Sequence, residues 1–485
     1  MKFSFILFKF FIVLVVLLTP SCSRNPVTGR REFMFISERR EMVIGAEYDR
    51  HMVELFGLYE DADMLAFINE KGRQMGLVSH RPALEYQFRI LDSPVINAFA
   101  VPGGYIYLTR GILAHFNSEA ELIGVIGHEM GHITARHALS RQSRGQLAQL
   151  LLLGGMIVSE EFAQFANLAY TGLELLFLQY SRSDEREADR LGVEYSARIG
   201  YDASQFADFF NLLVRMELEG RTGGIPTFLS THPDPGDRYN SVNQQAQEWK
   251  QTLGGDTWLV NQENYLRMIN GMVYGEDPRQ GYQDDQRFFH PNQRFTFPIP
   301  TGWNVEITPG QVRLTPARGN ALMMLSKVEG ASLRQVAQSN IEQMGLRPLE
   351  SENITINGLQ AMAFVSDQAQ AQVESGQAIK VRSVFIEHNE QFYAFHGLAA
   401  TQEFDSFLPH FQHAMLNFSR LTDHSRINVR PQRIRVRQAP VSGSLRVVLQ
   451  ALDVRPDQLE ELAFLNNMEL NDRVNAGRLI KTITR

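Results

Sequence analysis

The run His128-Glu129-Met130-Gly131-His132 places two imidazoles four residues apart. On a helix they project from one face and can share one zinc ion, while the glutamate between them is placed to act as a general base. A catalytic zinc needs a third protein ligand and keeps one position open. Well downstream, Asp184-Glu185-Arg186-Glu187-Ala188-Asp189 offers carboxylates. Glu185 is the candidate ligand, and Asp189, one turn later, can accept the second ring N–H of a ligating histidine and fix its tautomer. Alone, such a cluster reads as a charged surface helix; beside paired histidines it reads as part of a metal site.

These side chains need elements to position them. Ser118 with Glu121 predicts a capping box that starts the helix ahead of the motif. Leu122, Ile123, Val125, Ile126, Met130 and Ile133 surround most of its circumference, as in a helix buried in a core. Gly124, Gly127 and Gly131 form a strip next to the histidines, each costing about 1 kcal/mol relative to Ala. Close approach of substrate or backbone beside the metal explains them on one reading, tight helix packing on the other. Residues 37–77 read as two helices, with Ser37 and Glu38 as an N-cap and Gly57 and Gly76 after the periodic stretches. Strands follow at Leu84–Leu91, Val95–Val101 and Tyr105–Leu108, broken by Pro102-Gly103-Gly104. From Ser118 to Gly200 the pattern is helical. It includes Leu150–Leu153, which Gly154, Gly155, Glu160 and Glu161 cut short of the roughly 20 residues a membrane span needs.

The 485 residues are 44% hydrophobic and 21% charged, which excludes disorder, collagen and coiled coil and suggests more than one domain. The single cysteine, Cys22, excludes an intramolecular disulfide and any multi-cysteine metal site. A net charge of -7 gives no general attraction to nucleic acid. The basic group Arg426, Arg430, Arg433, Arg435 and Arg437 lacks interleaved aromatics, and so predicts a solvated linker or contact with anionic envelope surfaces, with no nucleic-acid partner. Lys2 and Lys9 precede an apolar run from Phe10 to Leu18, then Thr19-Pro20-Ser21-Cys22, in the order of a secretory signal. A cysteine there resembles the bacterial lipoprotein signal, with Thr19 and Pro20 as departures. The expectation is a signal peptide over 1–21 and a membrane surface held through lipidated Cys22.

The polar, turn-rich stretch 256–290 reads as a linker. Residues 291–422 alternate strands with helices near 331–345 and 403–417, a small α+β domain that resembles the PsbP-like and Mog-like folds. In 423–485, Leu445, Val448 and Leu449 share one helix and Leu459, Leu462 and Leu465 a second. Leu465-Asn466-Asn467 and Gly477-Arg478-Leu479-Ile480-Lys481 resemble a LysM-type module, which implies glycan binding, with peptidoglycan as the partner.

Four segments in one order carry a wider resemblance: Asn25-Pro26-Val27-Thr28-Gly29-Arg30; Asn97-Ala98-Phe99-Ala100-Val101-Pro102-Gly103-Gly104; the His-Glu-x-x-His with Glu185-Arg186-Glu187-Ala188-Asp189; and Thr231-His232-Pro233 with Arg238. Over about residues 25–245 the chain resembles the HtpX and CAAX-prenyl-protease group of gluzincin zinc peptidases, most of all its periplasmic BepA-like branch. The resemblance implies an α+β fold class: a mainly helical zincin-type peptidase domain with a small sheet over 25–255, ahead of the two smaller units. It makes Glu185 rather than Glu187 the ligand, with one Zn2+ held by His128, His132 and Glu185. It also places His232 and Arg238 near the site, where either could donate to the developing oxyanion.

Glu129 is then the catalytic base. Tyr105-Ile106-Tyr107-Leu108 is expected as an edge strand beside the zinc helix, binding unfolded or extended polypeptide through main-chain hydrogen bonds. The expected activity is that of a zinc metalloendopeptidase cleaving unfolded or misassembled proteins. Its expected place is the periplasm, lipid-anchored to the outer membrane. His232 could alternatively fill the open zinc position and hold the enzyme latent. The rival reading is a non-enzymatic chaperone or assembly factor; the complete ligand trio with Glu129 speaks against it. No helical-repeat tail follows, so partner choice does not carry over.

Overall fold

The computed structural model describes residues 22–34, 36–141, 180–218, Phe228, His232, 235–318, 321–368 and 378–484. The expected signal segment and the Leu150–Leu153 run lie outside the described residues. No described helix is long and apolar enough to cross a membrane. The fold is mixed α+β, with helices and several sheets.

The first helix, α1 (Glu38–Phe56), starts where the Ser37 hydroxyl accepts from the Arg40 amide, and stops at Gly57, whose φ of 63° continues no helix. Helix α2 (Ala62–Val78) starts on Asp61 and runs past Gly76. Gly76 is therefore a packing position rather than a stop: a Cβ there would meet the Tyr86 ring at 3.0 Å.

A three-stranded sheet follows, made of β1 (Gln87–Leu91), β2 (Ala98–Val101) and β3 (Tyr105–Thr109) in the order β1-β3-β2. Strand β3 runs parallel to β1 and antiparallel to β2. The segment Tyr105-Ile106-Tyr107-Leu108, expected at an edge, is thus the central strand, with its main-chain groups paired on both sides. The returning turn at Pro102–Gly104 folds β3 between its neighbours. The edge strand beside the motif helix is β2.

Helices α3 (Arg110–His115), α4 (Glu119–Thr134), α5 (Arg182–Arg198), α6 (Ser204–Leu218), α7 (Pro235–Leu253) and α8 (Gln262–Met268) complete this unit. Every residue of α4 is buried, which explains why its apolar residues occupy most of the circumference rather than one stripe.

The stretch 256–290 is not a bare linker. Tyr265, Leu266, Ile269 and Met272 lie in the core around α4, and Phe288 lies in the core of the next unit. Its turns and charges fall between short elements that contribute apolar residues to one core or the other.

The second unit is an antiparallel seven-stranded sheet. Its strands are β4 (Trp303–Ile307), β5 (Gln311–Pro316), β6 (Ala321–Val328), β7 (Leu346–Ile356), β8 (Leu359–Gln368), β9 (Ile379–His388) and β10 (Gln391–Ala400), in the order β4-β5-β6-β10-β9-β8-β7. Helix α9 (Leu333–Gln343) packs with Phe364, Phe385 and Leu398, and α10 (Phe404–Met415) with Phe297, Tyr393 and Phe395. Residues of β9 and β10 appear in both clusters, so alternate side chains serve alternate faces.

The last unit runs β11 (Gln432–Gln438), α11 (Leu445–Ala451), α12 (Leu459–Leu465) and β12 (Leu479–Thr484), with β12 antiparallel to β11. It does not stand apart, because Ile434 and Phe464 belong to the core that surrounds α4.

Candidate metal centre

Helix α4 begins as its sequence demands, with one change. The Ser118 hydroxyl accepts from the Glu121 amide (3.1 Å), but the Glu121 carboxylate accepts from the amide of Asn117, one residue before the cap (3.0 Å). Helix α5 carries a complete capping box between Ser181 and Asp184. The two helices touch backbone to backbone. A Cβ on Gly127 would lie 2.9 Å from the Gly192 carbonyl oxygen, one on Gly131 3.1 Å from the Ala188 Cα, and one on Gly192 2.9 Å from the His128 nitrogen. Gly124 is filled by Phe206. Helix packing accounts for the glycine strip, and this close approach carries Glu185 up to the paired histidines.

His128, His132, Glu185 and His232 are all buried, and each offers one ligand atom such that the four atoms lie within 4.8 Å of one another. Glu185 Oε2 is 3.6 Å from His128 Nε2, and Oε1 is 3.4 Å from His132 Nε2. His232 Nδ1 is 2.9 Å from Glu185 Oε1 and 3.2 Å from His128 Nε2. Two imidazoles, a carboxylate and a third imidazole are zinc's preferred nitrogen and oxygen donors. Three of these residues were expected as ligands, and His232 joins them from its own segment.

Glu129 stands beside this group. Both its carboxylate oxygens are buried without a hydrogen bond of good geometry, and His232 Nε2, also unsatisfied, is 3.5 Å away. Unsatisfied polar atoms converging on ready ligands fit a bound cation. Burial lifts the Glu129 carboxyl to about 7. Burial would also raise Glu185, but His232, His132 and Arg238 together hold it well below the usual carboxylate range.

Asp189 lies against His128. Its Oδ1 is 2.9 Å from His128 Nδ1, so the Nδ1–H is occupied and Nε2 is left as the ligand atom. Arg238 in turn grips Asp189 bidentately, Nε to Oδ2 at 2.8 Å and Nη2 to Oδ1 at 2.6 Å, and places Nη1 2.9 Å from Glu185 Oε2. It also lies over the Phe210 ring, 4.4 Å from the centroid. The bidentate grip on Asp189 and the contact with Glu185 give the guanidinium a positioning part, although Nη1 makes no hydrogen bond of good geometry. The structure places Arg238 against Asp189 and Glu185, and the expectation that it donates to an oxyanion is not tested by this geometry.

Two further neighbours escaped the sequence reading. Tyr180 stacks on His132, centroids 3.9 Å apart at 24°, and His137 sits against the far nitrogen of the same ring. The Asn25–Gly29 segment forms a turn on the Asn25 side chain, whose amide also donates to the Ala135 carbonyl at the end of α4 (3.2 Å).

A buried histidine and glutamate cluster between two close helices is the kind of site that defines a metallopeptidase. Residues 66–246 match the profile of peptidase family M48. The beta-barrel assembly-enhancing protease of Escherichia coli is 29% identical over 240 residues, 47% of this chain and 48% of that protein. The mitochondrial metalloendopeptidase OMA1 of Arabidopsis thaliana is 32% identical over 177 residues, 36% of this chain and 34% of that protein. The chain thus spans about half the length of the bacterial relatives it matches. These likenesses support a metallopeptidase. The Ran-binding protein Mog1p of Saccharomyces cerevisiae shares 12% identity at a TM-score of 0.24, covering 30% of this chain and 99% of its own; at that score the likeness fixes no fold.

Proposed function

We propose that the protein is a zinc-dependent endopeptidase of the bacterial cell envelope, acting on unfolded or misassembled polypeptides. The observation that carries this reading is the unsatisfied Glu129 carboxylate beside a buried set of four ligand atoms. When bound, zinc supplies Lewis acidity that polarises a peptide carbonyl and acidifies water toward neutral pH. His128, His132 and Glu185 would hold it, with Asp189 fixing the His128 tautomer and Arg238 fixing Asp189. Glu129, raised toward neutrality by burial, takes a proton from the attacking water and returns it to the departing amine. Among the described residues strand β2 has β3 as its one strand neighbour, so an extended substrate would add along its other side through main-chain hydrogen bonds.

Metal analysis of the purified protein with a casein-type cleavage assay tests the reading. One zinc per chain and chelator-sensitive cleavage are expected; a metal-free, inactive protein would leave only a client-binding scaffold. Lipidation of Cys22 and glycan binding by 423–485 complete the envelope reading, and mass spectrometry of the membrane fraction and a peptidoglycan pull-down check them.

A second reading concerns control. His232 Nδ1 lies among the ligand atoms, so His232 would fill the fourth position and hold the site latent. His232→Ala should then raise cleavage with zinc retained. Loss of cleavage in that variant would instead assign His232 a part in catalysis.

A further inference from the structure

The nitrogen of His132 that faces away from the ligand group meets another imidazole, not a carboxylate. His132 Nδ1 is 2.9 Å from His137 Nδ1, and His137 Nε2 is 3.2 Å from Glu187 Oε2. Asp184 Oδ1 lies 3.9 Å from the same Nε2. Two nitrogens at hydrogen-bond distance require one donor and one acceptor, so the tautomers of the rings are linked. An ionised carboxylate only accepts, so Glu187 draws the proton of His137 onto Nε2. His137 Nδ1 then presents a lone pair, His132 must carry its proton on Nδ1, and His132 Nε2 is free to ligate.

Were His137 to carry a proton on Nδ1, His132 would have to accept there, and its own proton would move to the nitrogen that faces the metal position. We propose that His137 and Glu187 are positioning residues for the metal centre: together they set the tautomer of His132 although neither offers it a ligand atom.

Backbone geometry supports a built arrangement. Helix α4 ends at Thr134, and Arg136 adopts φ 58°, an unfavoured left-handed conformation for a residue with a Cβ. The reversal turns His137 back onto His132. It is held by Arg136 Nη2, 3.0 Å from the buried Glu41 carboxylate and 3.2 Å from the Ile36 carbonyl oxygen.

The inference rests on His132 being a metal ligand, and its test separates the two. Zinc dissociation constants would be measured by competition with a chromogenic chelator on the full chain, alongside the melting temperature of each metal-free protein. Removal of such an outer partner weakens metal binding by about 10–100-fold, and Glu187→Gln and His137→Phe should each do so. His137→Gln should keep near wild-type affinity, since its Oε1 still accepts from His132 Nδ1–H. In that background Glu187→Gln should have no further effect, whatever it does to the melting temperature.

Histidine-detected NMR of the zinc-bound protein should report Nδ1–H on His132 and Nε2–H on His137. Wild-type zinc affinity in Glu187→Gln, or an equal loss in both backgrounds, would overturn the relay while leaving the metal site intact. Failure of the wild type to bind zinc would instead remove the site itself.

Discussion

Glu129 concentrates the residue-scale chemistry, because it is buried, lacks a good hydrogen bond and is lifted by burial to about 7. A group titrating near working pH can both take and give a proton, and a positioned acid–base group contributes about 10²–10⁴-fold to rate. Glu129→Gln keeps the volume and the buried surroundings of α4. It should bind zinc as wild type does and lose cleavage by about that factor; turnover at the wild-type rate would refute the assignment of the base. The spacing of His128 and His132 was readable because helical periodicity alone puts them together. The partners of their far nitrogens divide. Asp189 follows Glu185 by one turn and could be inferred, but His137 reaches His132 only through a helix stop at Ala135-Arg136, where no Gly or Asn marks a reversal.

At the scale of elements, the contact between α4 and α5 sets the ligand geometry, and glycine makes it possible. Gly127→Ala gains about 1 kcal/mol of helix propensity, but its Cβ would sit 2.9 and 3.0 Å from the Gly192 carbonyl oxygen and Cα. Backbone cannot swing aside as a side chain can, so overpacking at about 1–3 kcal/mol outweighs the gain. The variant should melt lower and bind zinc more weakly as Glu185 is pushed from the histidines; unchanged zinc affinity would show that the contact is not what places the ligand. The glycines thus announced a close approach without saying what approached. Strand order was hidden for a related reason: alternation shows that Tyr105–Leu108 is a strand, but which neighbours flank it depends on the Pro102–Gly104 return and on pairing with distant β1.

The seven-stranded sheet and the strand Arg287–His290 ahead of it carry their own sensitivity to acid. Burial lowers His290 and His396 to about 4 from 6.5, and His396 Nδ1 lies 2.9 Å from the Ser383 hydroxyl oxygen. Between those values the unfolded chain takes up protons that the folded one refuses, so stability falls as pH drops through 6.5 toward 4. The loss approaches about 3 kcal/mol per histidine at 1.36 kcal/mol per unit. Urea unfolding at pH 7 and pH 4.5 should show it, and His396→Gln should remove about half of the dependence, the rest belonging to His290; equal stability of the wild type at both pH values would exclude it.

Across the whole molecule, the last unit is fastened to the ground on which the metal helix stands. Lys481, fully buried in β12, extends its ammonium to the carbonyl oxygens of Ala114, His115 and Phe116, at 2.9, 3.3 and 3.1 Å. These acceptors end α3 immediately before the Ser118 cap of α4, and a cation there also complements the helix dipole. Burial pulls Lys481 down to about 7, opposed by the nearby Glu121 carboxylate. Asn467 donates to the Asp208 carbonyl at 3.1 Å, and Arg215 to the Met468 carbonyl at 3.1 Å. Two of the basic cluster also bond to backbone, Arg433 to the Gly271 carbonyl and Arg437 to that of Leu452, while Arg430 and Arg435 stay exposed.

In sequence the apolar faces of α11 and α12 are plain, but a lysine in a strand reads as a solvated charge, so the docking was not legible. Lys481→Met keeps the apolar stem and removes the donor; Asn117 still donates to the His115 carbonyl, but those of Ala114 and Phe116 lose this partner, and a buried carbonyl without one costs about 1–3 kcal/mol. The variant should lose about 2 kcal/mol or more on that basis, and since Ile434 and Phe464 share the core around α4, its zinc site should melt with the last unit in one transition. A Lys481→Met protein that melts as wild type, or one whose last unit unfolds while zinc stays bound, would make the C-terminal unit an appendage to the peptidase fold instead of part of its foundation.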